Sequence, residues 1–483
     1  MPPRARTTGR TGSLRLLACL LALLGTGCAG RTAAPSSPTS SQAGATERPY
    51  LRAALEIADW LDTVAVRQDV GVAWPAQIEG EPAFDRGLYA GVPGVVLFYL
   101  EAHRATGDAR LIARAEDAAD WLASGLAGPK ELEPGLYGEY GGLTLAFLET
   151  WRASGNARHR DAARRVIERI LDQAAATESG VTWGPATGVT DIIGGSAGIG
   201  LLLLAVAEPL EMPDALMLAR GAGDHLLSLG IPEHGGTKWA MTPSFERRMP
   251  NFSHGTAGIG YFLVRLYERT GDERYLEGAR AGGRYLRAIA SDTTPRDGAG
   301  DEPAEGPLLI LHSEPGREDL FYLGWCHGPP GTLRFLHALA DTTAGDATES
   351  ESWARFARRL AHGLHASGLP ARTPGFWNNA GVCCGDAGVA DALLAVAARN
   401  PDEPASNANR ALAHALLADA LARSTVDERG RRWTHAEHRV RPELLTTQTG
   451  LMQGAAGIGL VLLRADARAA GRPPAIVFPD SPW

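Results

Sequence analysis

Seven copies of one short turn limit what this chain can fold into more than any other feature. The pattern is Gly-x-x-Gly, at 91–94, 138–141, 195–198, 255–258, 328–331, 385–388 and 454–457. Each copy runs into an apolar segment such as Ile-Gly-Leu-Leu-Leu-Leu at 199–204. Successive copies start 47 to 73 residues apart. A repeat of that length suits a helix, a loop and a second helix per unit. Two glycines bracketing a turn let the backbone bend tightly and let a neighbour come close.

The second helix carries its own punctuation. Gly107 is followed by Asp108, and Gly271 by Asp272. Glycine ends a helix by adopting the left-handed conformation at its C-terminal boundary. Aspartate just beyond caps the next helix. Apolar residues recur at three- and four-residue spacing, with no long alternating run. The spacing predicts an all-α chain. Seven helix pairs with apolar inner helices predict an α/α toroid, a ring of inner helices inside a ring of outer ones. The turns that open the inner helices would gather at one end, around a central cavity. An open solenoid would need polar capping units, and the first and last copies here are as apolar as the middle ones. The toroid is expected to form one domain over 49–483.

The chain has five cysteines. Cys19 and Cys28 lie in an N-terminal segment that reads as a sorting signal. The other three precede two of the turns: Cys326 in Gly-Trp-Cys-His-Gly at 324–328, and Cys383 and Cys384 in Val-Cys-Cys-Gly at 382–385. Buried apolar cysteines are the plain alternative. Thiolates are also soft ligands that hold Zn²⁺ at about 2.3 Å, and three of them leave a fourth tetrahedral position open, as reactive zinc sites do.

With these motifs in view, the chain resembles the lanthionine synthetase C-like family from about Leu51 to Leu463. Gly-Trp-Cys-His-Gly-x-x-Gly at 324–331 and Cys-Cys-Gly at 383–385 carry most of the resemblance. Asn-Phe-Ser-His-Gly-Thr-Ala-Gly at 251–258 and Asp-Ile-Ile-Gly-Gly at 191–195 add to it. The resemblance implies an α/α toroid, one Zn²⁺, and addition of a peptide cysteine thiol across a dehydroalanine or dehydrobutyrine to close a thioether ring. It implies Cys326, Cys383 and Cys384 as zinc ligands, with Cys384 where many members have histidine. It implies His254 and Asp191 in proton transfer, and His327 as a site-lining residue. One position departs: some cyclases carry arginine four residues before the first ligand, where this chain has Tyr322.

The chemistry follows from the residue types. A free thiol has a pKa near about 8.5, so little thiolate exists at neutral pH. Metal coordination deprotonates it. Addition to an activated alkene also needs a proton for the enolate carbon, and a histidine titrates in the right range to supply one. Aspartate ahead of an apolar helix is also a common N-cap, so Asp191 carries a structural reading beside the chemical one. His435 and His438, beside Arg431, Arg432 and Arg439, read as a pair on a solvated face or loop rather than a metal site.

The N-terminus sets the expected compartment. Arg4, Arg6, Arg10 and Arg15 precede a short apolar run at 16–24, too short to span a bilayer as a mature helix. Gly-Thr-Gly-Cys at 25–28 resembles a bacterial lipoprotein signal. The expectation is a signal over 1–27, a lipidated Cys28 anchoring the protein to a membrane outside the cytoplasm, and a tether over 28–48 rich in Ala, Ser, Thr and Pro. Secretion without lipid is the alternative. An oxidising exterior threatens the Cys383–Cys384 pair unless zinc protects it.

A formal net charge of −8 and the lack of a basic, aromatic-interleaved patch argue against nucleic acid. No Walker motif or dinucleotide loop is present. No dehydratase region accompanies the toroid, so a separate dehydratase would supply any dehydrated peptide. Three functions remain: a zinc-dependent thiol-addition enzyme, a zinc-containing binding protein for a peptide or small thiol without turnover, and a glycosidase-like toroid with paired carboxylates. The last explains none of the cysteines.

Overall fold

A computed structural model describes residues 48–483, apart from 129–130, 185–187, 293–305, 317–318, 372–375 and 378. The expected signal, Cys28 and all of the tether except Arg48 lie outside the described residues. The described residues form fourteen helices: α1 (Pro49–Val64), α2 (Val92–Thr106), α3 (Ala109–Ser124), α4 (Glu139–Ser154), α5 (Ala157–Asp172), α6 (Ser196–Val206), α7 (Pro213–Ser228), α8 (Thr256–Thr270), α9 (Glu273–Ile289), α10 (Pro329–Thr342), α11 (Ala347–Ala366), α12 (Asp386–Arg399), α13 (Pro404–Ala422) and α14 (Ala455–Ala469). None of the described helices is long and apolar enough to cross a membrane.

The even-numbered helices are the inner ring. Each takes the first glycine of a Gly-x-x-Gly turn as its N-cap, in extended backbone conformation. The second glycine is demanded by close approach. A Cβ on Gly331 would overlap the Trp325 carbonyl oxygen, and one on Gly388 the Val382 carbonyl oxygen. Inner helices are buried on all sides, α10 from Pro329 through Ala340. The outer helices bury one stripe; α5 buries His159, Ala162, Ala163, Val166, Ile167 and Ile170. Gly107 and Gly271 are left-handed C-caps, with φ of 75° and 69°. Asp108 and Asp272 accept the Arg110 and Arg274 amides at 2.9 and 3.1 Å, capping α3 and α9.

Inner helices pack in sequence around the circle, and α14 packs on α2 to close it. This is the α/α toroid that the repeat predicts, with one difference in how the last unit is made. No helix follows α14 among the described residues. Its outer partner is α1, so the first helix completes the seventh pair.

Short two-stranded ribbons join outer helices to the next turn. Four of them are followed by a buried tryptophan whose indole N–H donates to a carbonyl thirteen residues earlier, at the end of the preceding outer helix. The pairs are Trp74 to Leu61, Trp183 to Ile170, Trp239 to Leu226 and Trp433 to Ala420, all at 2.7 to 2.8 Å. Each indole pins its ribbon under its own helix while satisfying a terminal carbonyl.

The turns themselves are stitched into a closed circle of backbone hydrogen bonds. Tyr89 N–H donates to Tyr137 O, Tyr137 to Ile193 O, Ser253 to Cys326 O, Cys326 to Cys383 O, Cys383 to Met452 O, and Met452 back to Tyr89 O. Ile192, the neighbour of Ile193, donates to Ser253 O. All seven bonds measure 2.8 to 3.2 Å. The turns therefore gather at one end of the ring.

Candidate thiol and metal site

Equivalent positions in three turns supply the chemistry. Ser253 and His254 precede the N-cap of α8, Cys326 and His327 that of α10, and Cys383 and Cys384 that of α12. The circle of turns brings these side chains into one cavity of about 320 Å³, which Tyr89, Tyr322 and Gln453 also line. A larger cavity of about 520 Å³, among α10 to α13, holds none of the cysteines.

The three thiols form a triangle. Cys384 Sγ lies 3.6 Å from Cys326 Sγ and 3.4 Å from Cys383 Sγ, and all three sulfurs fall within 4.8 Å of one another. All three cysteines are free. A tetrahedron with arms of about 2.3 Å has edges of about 3.8 Å, so the donor set fits one zinc with a fourth position open. Cys326 and Cys383 are buried and Cys384 is half-buried. Hydrogen bonding to Cys383 and Cys384, with burial, holds the Cys326 thiol well above its ordinary range. Hydrogen bonds from Cys326 and Cys383 hold Cys384 well below it. Gln453 Nε2 donates to the same sulfur at 3.6 Å.

Beside the thiols, His254 Nδ1 lies 2.6 Å from Asp191 Oδ2. The Asp191 side chain is 2% exposed and that of His254 29%. The carboxylate accepts an Nδ1–H and so leaves Nε2 as the imidazole's working nitrogen. Asp191 Oδ1 also accepts the Gly194 amide at 2.9 Å, so the same side chain braces its own turn. It is not the N-cap of α6, which is Gly195. His327 packs 5.6 Å from the His254 ring and 4.4 Å from His312. Its Nδ1 is buried without a hydrogen-bond partner, and burial, with His312 and His254 nearby, keeps the ring neutral.

The sequence reading missed several lining residues. Gln453 sits just before its helix N-cap, the position that His254, His327 and Cys384 hold in their turns, so aligning the turns would have found it. Arg439 had no such signal. It arrives on a hairpin between the strands His435–Ala436 and Leu445–Thr446, lines the cavity and donates to Tyr322. A guanidinium therefore stands beside the residue that replaces arginine in this sequence. The same hairpin carries His435 and His438, the pair read from the sequence as lying on a solvated face or loop. His438 is exposed but lines the thiol cavity, and burial pushes half-buried His435 down to about 4.

The sequence profile of the lanthionine synthetase C-like protein family matches residues 82–474. The chain belongs to that family. Among solved structures it is similar to nisin cyclase, with a TM-score of 0.58 and 14% identity over 87% of this chain and 95% of that one. At that identity the likeness concerns the fold. It also matches an unsaturated glucuronyl hydrolase specific for heparin, at TM-score 0.47 and 10% identity over 88% and 99% of the two chains. An inactive α-1,6-mannanase variant of Salegentibacter sp. HEL1_6 follows at TM-score 0.42 and 13% identity over 87% and 99%. No curated protein sequence matches this chain. Family membership makes the toroid that of a lanthionine synthetase C-like protein.

Proposed function

We propose that this protein is a zinc-dependent thioether-forming enzyme that adds a peptide cysteine thiol to a dehydroamino acid. The observation that carries this reading is the triangle of Cys326, Cys383 and Cys384 sharing one cavity with the His254–Asp191 pair. Zinc held by the three sulfurs would keep an incoming thiol ionised and nucleophilic.

The chain's own groups do the rest. The substrate sulfur bonds to Cβ of the alkene, the double bond's electrons move to Cα and its carbonyl, and Cα takes a proton. Nothing leaves: the thiol gives up one proton and Cα gains one. His254 Nε2 takes the proton that the thiol gives up and hands it on to Cα, with Asp191 fixing the tautomer and the ring plane. His327, Ser253 and Arg439 offer donors for the carbonyl oxygen as charge builds on it. A separate dehydratase supplies the substrate peptide, and Cys28 carries a lipid that holds the toroid outside the cytoplasm.

Tyr322 in place of arginine favours a second reading, a zinc-containing binding protein that holds a peptide or small thiol without turnover. The deciding experiment offers the purified domain a peptide with one dehydroalanine and one free cysteine, and follows alkylation-resistant product by mass. Product above the uncatalysed background supports the enzyme. Zinc-dependent binding with background product only supports the binder.

A further inference from the structure

The hairpin beside the thiol cavity bears an apolar ridge that is exposed among the described residues. Nine large apolar side chains are exposed among the described residues, and three of them, Val440 at 72%, Leu444 at 45% and Leu445 at 53%, fall between 440 and 445. Ile78, 38% exposed, lies beside them, its amide donating to the Thr447 carbonyl at 3.0 Å. Exposed apolar side chains scattered singly are ordinary, whereas a cluster at a cavity mouth marks a contact surface.

The ridge is held in place. Ala436 pairs with Leu445 and His435 with Thr446. Asn379 Nδ2 donates to Ala436 O at 3.2 Å, while its Oδ1 accepts the Gly381 amide at 2.8 Å, two residues before Cys383. Gln448 Nε2 donates to Glu437 Oε2 at 3.1 Å. The loop closes through Arg441 N–H to His438 O and Leu444 N–H to Arg441 O, at 3.0 and 3.1 Å. Its inner side, from Glu437 to Val440, lines the same cavity as the cysteines. The ridge is therefore continuous with the reaction site and pinned to the turn that carries two of its thiols.

We infer that the 437–446 hairpin is the substrate-recognition rim, and that Val440, Leu444 and Leu445 take an apolar side chain next to the reacting residue of a peptide. This rests on the cyclase reading for its chemistry and deepens it by naming the substrate class, a peptide with apolar residues flanking the reacting position. A cavity of about 320 Å³ holds only a few side chains. An extended peptide advances about 3.3–3.6 Å per residue, so flanking residues must cross the rim. A small polar thiol has nothing to lay on it.

Two fluorescein-labelled hexapeptides test this, both unreactive because alanine replaces dehydroalanine, one with leucine on either side of it and one with serine. Fluorescence anisotropy on zinc-loaded protein should show the leucine peptide binding about tenfold tighter, the scale of partly burying one such side chain. In the double variant Val440→Ser/Leu445→Ser the ratio should fall towards one, with circular dichroism and Tm retained because both side chains are exposed. Should the double variant misfold, Val440→Ser alone carries the comparison. Equal binding of the two peptides by wild type, or an unchanged ratio in the variant, overturns the inference. So does sedimentation showing the ridge buried between two copies of the chain. Thiol addition is measured separately on reactive peptides. A preserved leucine preference without addition removes the enzyme reading and keeps the rim; addition without preference does the reverse.

Discussion

The amide of Cys326 donates to the carbonyl of Cys383 at 3.1 Å, joining the two cysteine turns directly through the backbone. The spacing of their sulfurs is thus set by the main chain and not by flexible side chains alone. The next bonds in the circle run from Ser253 to Cys326 and from Cys383 to Met452, at 2.9 and 2.8 Å. A triangle of thiols built on such a circle is preorganised, because its geometry exists once the ring closes.

The purified mature domain should contain one zinc per chain by metal analysis. Replacing Cys326, Cys383 or Cys384 singly with alanine should release most of it, since two thiolates rarely retain the metal. Reduced wild-type protein without zinc, and variants no different from it, would count against the site.

His254→Ala should leave zinc content unchanged and slow thiol addition by about 10²–10⁴-fold, the usual scale for a lost general acid. Asp191→Asn should also slow addition, because an amide does not hold the same tautomer. Wild-type rates in both, read by mass on the dehydroalanine peptide, would remove the pair from the mechanism.

Asp480 ties the C-terminal segment into the ring. Its carboxylate is fully buried and meets Arg334 of α10 at 2.7 Å and the Tyr137 hydroxyl at 3.0 Å. Arg334 lies 5.9 Å from the Trp325 ring, next to Cys326. Asp480→Asn should cost about 3–5 kcal/mol by stranding a buried guanidinium. Urea denaturation would read this as a lower midpoint; a midpoint equal to wild type would contradict it.

Burial, with Arg399 and Arg358 nearby, pushes His337 down to about 3. Above about pH 6.5 both folded and unfolded forms of this residue are neutral and it contributes no pH dependence. As pH falls from about 6.5 towards 3, the unfolded chain takes up a proton that the folded ring refuses, so stability drops by up to about 1.4 kcal/mol per pH unit. His337→Phe should therefore lessen the loss of stability between pH 7 and 5, by about 2 kcal/mol at pH 5 relative to its own value at pH 7. Parallel curves for the two proteins would refute the assignment.

Cys28→Ser should release the protein from membranes or leave it unprocessed. Unchanged fractionation, with no lipid label on wild type, would refute the anchor.

Local chemistry made much of this protein legible in its sequence. The Gly-x-x-Gly turns announce the inner helices because glycine alone permits the Trp325 and Val382 carbonyls to approach Gly331 and Gly388. Gly107–Asp108 and Gly271–Asp272 mark helix ends because capping needs only adjacent residues. Cys326, Cys383, Cys384, His254 and Asp191 could all be named from motifs. Tertiary structure decided what depends on contacts between distant segments. It gave α14 the outer partner α1, a pairing of residues far apart in sequence that no local period encodes. It carried Arg439 and the Val440–Leu445 ridge to the mouth of the cavity on a hairpin outside the repeat. It placed Asp480 against Arg334, where a lone acidic residue near the end of the sequence gave no sign of burial. Helices and turns follow from interactions within a few residues, whereas these three placements follow only once the ring closes and buries its interior.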